Sequence, residues 1–213
     1  MGLTPWCPRC REPVADGVAV AGCAGHGTWP PLWRPDEPTY DAFVLHLRTA
    51  ADFPTYLPWP LGPGWAVSDF AVVAEEGGRP SATLTCVSGT SELDGPVDAL
   101  VVAEEVGVGL GARCAGVPGG DPGRALGDTP PVVRVRIGSA LVPLWSVSTS
   151  QDVEAPELDR TVLAGEAAGR WLWIVLRPAT AMLLMRDDWI LRDVSGLGPS
   201  LVAMPFAGPG PGW

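Results

Sequence analysis

Apolar and polar positions along the chain follow two different periods. Over residues 39–52 the apolar side chains of Tyr40, Phe43, Val44, Leu47 and Ala51 recur at three- and four-residue steps, which predicts one face of a helix. Thr39 is placed to cap it, Asp41 suits the positive end of its dipole, and Pro54 stops it. A rigid connector follows at residues 59–65, where Trp59 and Trp65 bracket a run of Pro and Gly and are expected to anchor it to the core. From there the pattern becomes that of strands, predicted at 65–74, 81–88, 100–106, 132–137, 140–147, 171–176, 181–186 and 189–192. Val133-Arg134-Val135-Arg136-Ile137 alternates strictly, and Gly138-Ser139 then leads into another apolar run, the signature of a hairpin. Pro143 in the second arm implies an edge or a bulge there. The run 171–176 lacks alternation and therefore reads as a central strand buried on both faces.

With many strands and one clear helix, the expected fold class is α+β, a mainly antiparallel sheet domain preceded by a small N-terminal zinc ribbon. The expected boundaries are a ribbon-like module at 1–34, the sheet domain at 35–207 and a flexible tail at 208–213. A length of 213 residues allows one sizeable domain and a small metal-stapled appendage, but no multi-domain machine. At 46% hydrophobic and 18% charged residues the chain is too apolar for a disordered or coiled-coil protein. Its 27 Gly and 24 Pro lie between apolar runs rather than in repeats, so they mark turns.

Charge narrows the choice of partner. The net charge is −10, yet residues 1–34 carry Arg9, Arg11 and Arg34 against Glu12 and Asp16. The negative excess thus belongs to the body, which repels polyanions and leaves only weak nucleic-acid binding through the N-terminal segment as an option. The most apolar stretch, 171–185, is interrupted by Arg177 and Pro178 and is too short to span a bilayer. The first residues show neither a basic nor an apolar leader region, which predicts a cytoplasmic protein.

One motif carries specific chemistry. Cys7-Pro8-Arg9-Cys10 and Cys23-Ala24-Gly25-His26 form C-x2-C-x12-C-x2-H. Two residues between paired ligands let a tight turn aim both side chains at one ion, and three thiolates with an imidazole suit a structural zinc. Arg9 and Arg11 would offset the site's negative charge. Val14, Val18 and Val20 between the knuckles suggest a short strand, too little apolar surface to fold without metal. A redox Cys7/Cys10 pair would need a helix start after a strand, for which residues 1–6 leave little room. Another reading is a degenerate motif that holds no metal. Four protein ligands leave no position for a catalytic water.

The remaining chain names no reaction. Gly107-Val108-Gly109-Leu110-Gly111-Ala112 imitates a dinucleotide fingerprint, but the Gly- and Pro-rich sequence after it predicts a surface loop instead of the helix such a site needs. His46 is expected at the boundary of the helix face and not in a catalytic triad. The pairs Glu75/Glu76, Glu104/Glu105 and Asp187/Asp188 point to opposite faces if they lie in strands, which makes them solvent charge at strand ends. Ten tryptophans could stack a sugar or nucleobase ligand, but the favoured reading is that Trp145, Trp171, Trp173 and Trp189 fill the core, whereas Trp6, Trp29 and Trp33 flank the cysteine cluster and would dock it. Cys86 and Cys114 read as ordinary small buried residues.

Several of these segments together carry a family likeness: CPRC near the start, the Cys-x-x-His-Gly turn, the Trp-bracketed connector at 59–65, Val102-Ala103-Glu104-Glu105 with the glycine run at 107–112, and Gly165-Glu166-Ala167 before Trp171-Leu172-Trp173. Over nearly its whole length the chain resembles an uncharacterised actinomycete family, a domain of unknown function with an N-terminal CxxC zinc-ribbon-like segment. The resemblance implies a single unit and brings no activity. The reading from sequence is a non-enzymatic zinc-binding protein that meets a protein partner or small ligand, with the exposed tip around Arg9 and Arg11 as one contact surface. Its rivals are an enzyme with a pocket near Glu104, Glu105 and the glycine loop, and a weak nucleic-acid binder acting through the ribbon.

Overall fold

Strands of this chain alternate between two apolar faces, and the architecture follows from covering both. The structure, a computed structural model, describes residues 2–14, 21–123, 126–149, 160–186, 189–207 and 213. Strand β1 (Leu3–Trp6) enters the N-terminal cysteine segment, which contains the short hairpin β2 (Ala21–Cys23) and β3 (Gly27–Trp29), and β4 (Leu32–Pro35) leaves it. Helix α1 (Tyr40–Ala50) comes next, followed by β5 (Tyr56–Pro58), β6 (Ala66–Ala74), β7 (Pro80–Ser91) and β8 (Gly95–Glu104). A short helix α2 (Leu110–Ala115) precedes β9 (Val133–Ile137), β10 (Ala140–Ser146), β11 (Thr161–Ala167), β12 (Arg170–Arg177) and β13 (Ile190–Asp193). Two 3-10 helices, Ala179–Arg186 and Gly198–Ala203, flank the last strand.

Eleven strands form one sheet in the order β1-β4-β6-β7-β8-β12-β11-β10-β9-β13-β5. Neighbours are antiparallel except β13 and β9, so the sheet is mixed. Strands β6, β7, β8, β12 and β11 make its centre. One face buries Phe70, Val87, Ala99, Val101, Leu172 and Ile174 under α1 and the folded-back far end of the sheet. The other face packs Leu84, Leu100, Val102, Trp173 and Val175 beneath α2 and Trp213. The fold-back is hydrogen-bonded across layers, because the Thr83 and Thr85 hydroxyls on one face of β7 donate to the carbonyls of Pro54 and Tyr56 beside β5, each at 2.6 Å. Two polar side chains two residues apart thus satisfy backbone groups that a buried edge strand would leave orphaned.

Much of the predicted pattern is present. Thr39 caps α1 through its hydroxyl to the Ala42 amide, and Asp41 lies in the first turn. Val133 pairs with Leu144 and Ile137 with Ala140 around a two-residue turn, the expected hairpin. Strand β12 pairs on both sides and is buried on both faces. Pro143 lies where β10 parts from β11, whose pairing with it is confined to Trp145 and Ser146. The same local approach explains Gly165, where an added Cβ would come within 2.3 Å of the Pro143 carbonyl.

Other expectations are corrected. Residues 181–186, read as a strand, belong to the 3-10 helix Ala179–Arg186, since Ala181 and Met185 face one core at a four-residue step that short-range alternation does not resolve. The glycine run at 107–112, read as a loop, starts α2, with Gly109 in the left-handed region at φ +86° as its first turn requires. Residue 213, assigned to a loose tail, is buried at 2% exposure: Trp213 lies under Arg34 and Arg113 and donates its indole N–H to Asp69. Val18, Val20, Asp187, Asp188 and residues 208–212 lie outside the described residues.

Helix α2 sits flush on β12, and a Cβ built on Gly111 would come within 2.2 Å of the Trp173 ring. Gly111→Ala should therefore lower stability by about 1–3 kcal/mol through overpacking. Gly196→Ala, at a position with open space and an ordinary backbone, should stay within about 0.5 kcal/mol. Urea unfolding of both variants measures the contrast, which vanishes if α2 does not touch Trp173.

Candidate metal centre

Two turns build the cysteine site. At the first, Trp6 bridges to Pro13, Val14 N–H donates to the Pro5 carbonyl and Cys7 N–H to that of Glu12, so Cys7 and Cys10 sit on one tight reversal of the chain. The second is the end of the β2–β3 hairpin, where Cys23 pairs with Gly27 and His26 N–H donates to the Cys23 carbonyl. The left-handed backbone of Gly27 at φ +72° fits the chain's exit from this turn. Both ligand pairs therefore lie at hairpin ends, the local geometry that x2 spacing favours.

The ligand atoms of Cys7, Cys10, Cys23 and His26 all lie within 4.8 Å of one another, close enough to bind a metal ion. Cys10 Sγ is 3.4 Å from Cys23 Sγ, and His26 Nδ1 stands 3.6 Å from Cys23 Sγ and 3.8 Å from Cys7 Sγ. A disulfide needs about 2.05 Å, so these sulfurs are free thiols facing a common centre. The Arg9 amide donates to Cys7 Sγ at 3.4 Å, as expected of a knuckle. The hydrogen bond with His26 is the main cause lowering the Cys23 thiol to about 6, while burial leads in pushing Cys10 up to about 11. A cation would remove that conflict by taking both as thiolates. No helix begins at Cys10, so the arrangement a redox Cys-x-x-Cys pair uses is missing there.

Arg9 does not project from the tip as expected. Its guanidinium turns inward, donates through Nε to the Val108 carbonyl at 3.0 Å and through Nη2 to that of Gly107, and lies 3.7 Å over the Trp29 ring. Arg113 from α2 reaches the opposite way and donates Nη1 to the Cys7 carbonyl at 2.5 Å. These two arginines tie the cysteine segment to the glycine loop. Arg9 was read as a charge balance and contact residue and Arg113 was not singled out at all, because contacts across about a hundred residues leave no periodic trace in sequence.

Glu104 and Glu105 separate as their strand position demands. Glu105 is exposed, whereas Glu104 is fully buried and its Oε2 accepts from the amides of Leu110 and Gly111 at 2.7 and 3.2 Å. The chain's own carboxylate thus occupies the amides that a pyrophosphate would use at the start of α2. Burial is the chief cause raising Glu104 to about 7, opposed by those two amides. His46 is no boundary residue either: it is fully buried, stacked on Phe43, with Nε2 3.2 Å from the Thr55 hydroxyl, and burial lowers it to about 3. Cys86 and Cys114 are fully buried, and burial pushes the Cys114 thiol up to about 12.

Of the tryptophans expected in the core, Trp173 is completely enclosed, but the other three are part-exposed cleft walls. Trp189 joins Trp59 and Trp65 around a cleft of about 340 Å³, and Trp145 and Trp171 line one of about 520 Å³ with Asp121 and Glu166. They stand at strand ends and sheet edges, where a large ring is covered on one side only.

The raised Glu104 carboxyl makes stability depend on pH. Between its ordinary value of 4.5 and about 7 the folded protein keeps a proton that the unfolded chain has released, so stability falls as pH rises through that window. The drop should approach about 3 kcal/mol. Glu104→Gln keeps an acceptor for α2 and should flatten the slope. Denaturant titrations from pH 5 to about pH 8, compared between wild type and variant, isolate this effect from protonation of the cysteine site, which acts in the opposite direction.

No curated protein matches the chain, and no solved structure does. Residues 1–211 match a family of unknown function (DUF6758), with the cysteine segment, the glycine loop and the sheet all inside the matched span. The chain belongs to that family.

Proposed function

We propose that this protein holds one structural zinc ion through Cys7, Cys10, Cys23 and His26, in a ribbon-like module, and acts by binding a small ligand or protein partner instead of by catalysis. The observation that carries the reading is the spacing of the four ligand atoms. Zinc bonds of about 2.3 Å to sulfur and 2.0 Å to nitrogen give a tetrahedron with edges of about 3.8 Å between sulfurs and 3.5 Å from sulfur to nitrogen. The sulfur pair Cys10 and Cys23, at 3.4 Å, and the two sulfur–nitrogen separations, 3.6 and 3.8 Å, lie close to those edges, and all four atoms are within 4.8 Å of one another. Four protein ligands fill the coordination sphere, which suits a structural ion and leaves water no place on it. The segment's own apolar cluster is Cys7, Val14 and Cys23 with Cys10 against it, so metal bonds would replace a hydrophobic core. Thiolate ligation also accords with a reducing compartment, the cytoplasm expected from sequence.

The enzyme reading centred on Glu104 loses support from the same geometry. A substrate could not reach a fully enclosed carboxylate whose Oε2 caps α2. Nucleic-acid binding through the module is weakened as well, because Arg9 turns inward against the glycine loop instead of projecting from the tip, and the body carries the negative excess.

Protein purified without added metal should contain about one zinc per chain by elemental analysis, and a Cys7→Ser/Cys10→Ser variant should contain almost none. Zinc should also leave on acidification as the thiolates and imidazole take up protons. A well-folded wild type without zinc would overturn the proposal.

A further inference from the structure

Beside the proposed metal centre lies a cleft of about 350 Å³ whose lining includes Arg9, His26, Arg113, Gly109, Gly119 and Gly120. Its charged lining is entirely of one sign, in a chain of net charge −10. Among the described residues neither Arg9 nor Arg113 has a carboxylate at ion-pair distance. Asp121, next to Gly120 in sequence, is engaged elsewhere, accepting from the Gly107 amide at 2.8 Å. Both guanidiniums are bonded to backbone carbonyls, which fix their positions without neutralising them. Arg113 Nε is buried with no acceptor. Held cations without a counter-ion are costly unless an anion completes them.

His26 adds a third donor. Its Nδ1 faces the thiols, so a metal there leaves the proton on Nε2, on the side of an exposed ring away from the ion. Three thiolates and a zinc ion sum to one negative charge, and two arginines exceed that by one. Gly109 keeps its left-handed backbone at φ +86° here, with the Arg9 side chain and the Gly120 backbone 3.4 Å from where a Cβ would stand.

We propose that this cleft binds a small oxyanion, a phosphate or carboxylate group, held by Arg9, Arg113 and the outward N–H of His26. The proposal rests on the zinc reading for the His26 donor and for the charge balance, and on the positions of Arg9 and Arg113 without it. An anion there would bridge the metal module and the glycine loop, giving a ligand a direct grip on how the two are joined. Oxyanions match the planar guanidinium fork, and a single group of this kind fits the single surplus charge.

Inorganic phosphate and acetate, titrated separately into the full-length protein at low salt and followed by calorimetry, test the site. Either anion or both should bind at one site per chain, and the affinity order tells which oxyanion the cleft prefers. Gly120→Asp carries no left-handed strain and touches none of the four metal ligands, yet it sets a carboxylate in the cleft wall. It should weaken binding by about tenfold or more with zinc content unchanged. Absence of binding to wild type, or equal affinity in Gly120→Asp, would overturn the proposal. Failure of the zinc reading appears separately, as missing metal in the wild type, and Gly120→Asp still decides on the cleft in that case.

Discussion

Three sulfurs and an imidazole nitrogen, all within 4.8 Å of one another, set the conditions for everything around them. Among the described residues the segment that carries them has only a small apolar cluster of its own, Cys7, Val14 and Cys23 with Cys10 against it. Attachment to the larger sheet therefore matters to its order. Attachment takes two forms, continuous strands and crossed arginines. Strands β1 and β4 run from the cysteine turns into the main sheet, pairing Leu3 with Pro35 and Trp6 with Leu32. Arg9 and Arg113 then close the gap from opposite directions, each donating to a carbonyl of the other's segment.

That attachment makes the glycine loop part of the metal site's surroundings. Glu104 ends strand β8, turns its carboxylate onto the start of α2 and so fixes the helix that delivers Arg113. A second buried carboxylate, Asp69, does comparable work on β6, on the far side of β7. It accepts two hydrogen bonds from Arg34 and one from the Trp213 indole, and although burial is the main influence and raises it, the arginine opposes that. Both acids stand at points where a β-strand passes under a non-strand element, the positions at which backbone or cationic donors need an acceptor inside the protein.

Sequence made the local features legible and left the tertiary ones dark. Ligand spacing pointed to Cys7, Cys10, Cys23 and His26 because the constraint on a metal knuckle is itself local. Helix α1 and the β9–β10 hairpin were readable for the same reason, from a cap and a two-residue turn. Strand β11 was not, since Gly165 and Glu166 dilute its pattern, and Gly165 is there only to let Pro143 approach. Helix α2 contradicts the composition of its surroundings because the Glu104 carboxylate, buried at the end of the preceding strand, supplies its cap. Arg9, Arg113 and Trp213 owe their roles to partners far along the chain, which no window of sequence contains.

The place of β5 at the sheet's far end has a further consequence, for the order in which the molecule can assemble. Among the described residues its one strand partner is β13, and the Thr55 amide beside it bonds to Asp193, 138 residues later. At a synthesis rate of 5–20 residues per second, β5 leaves the ribosome roughly 7 to 28 s before that partner exists. The four clustered Cys and His residues, by contrast, are all present once His26 has emerged. A growing chain can thus bring its N-terminal turns together early and lay β5 against Thr83 and Thr85 of β7, while the strand edge of β5 waits for β13, and it is this interval that a chaperone or a slow codon would act upon.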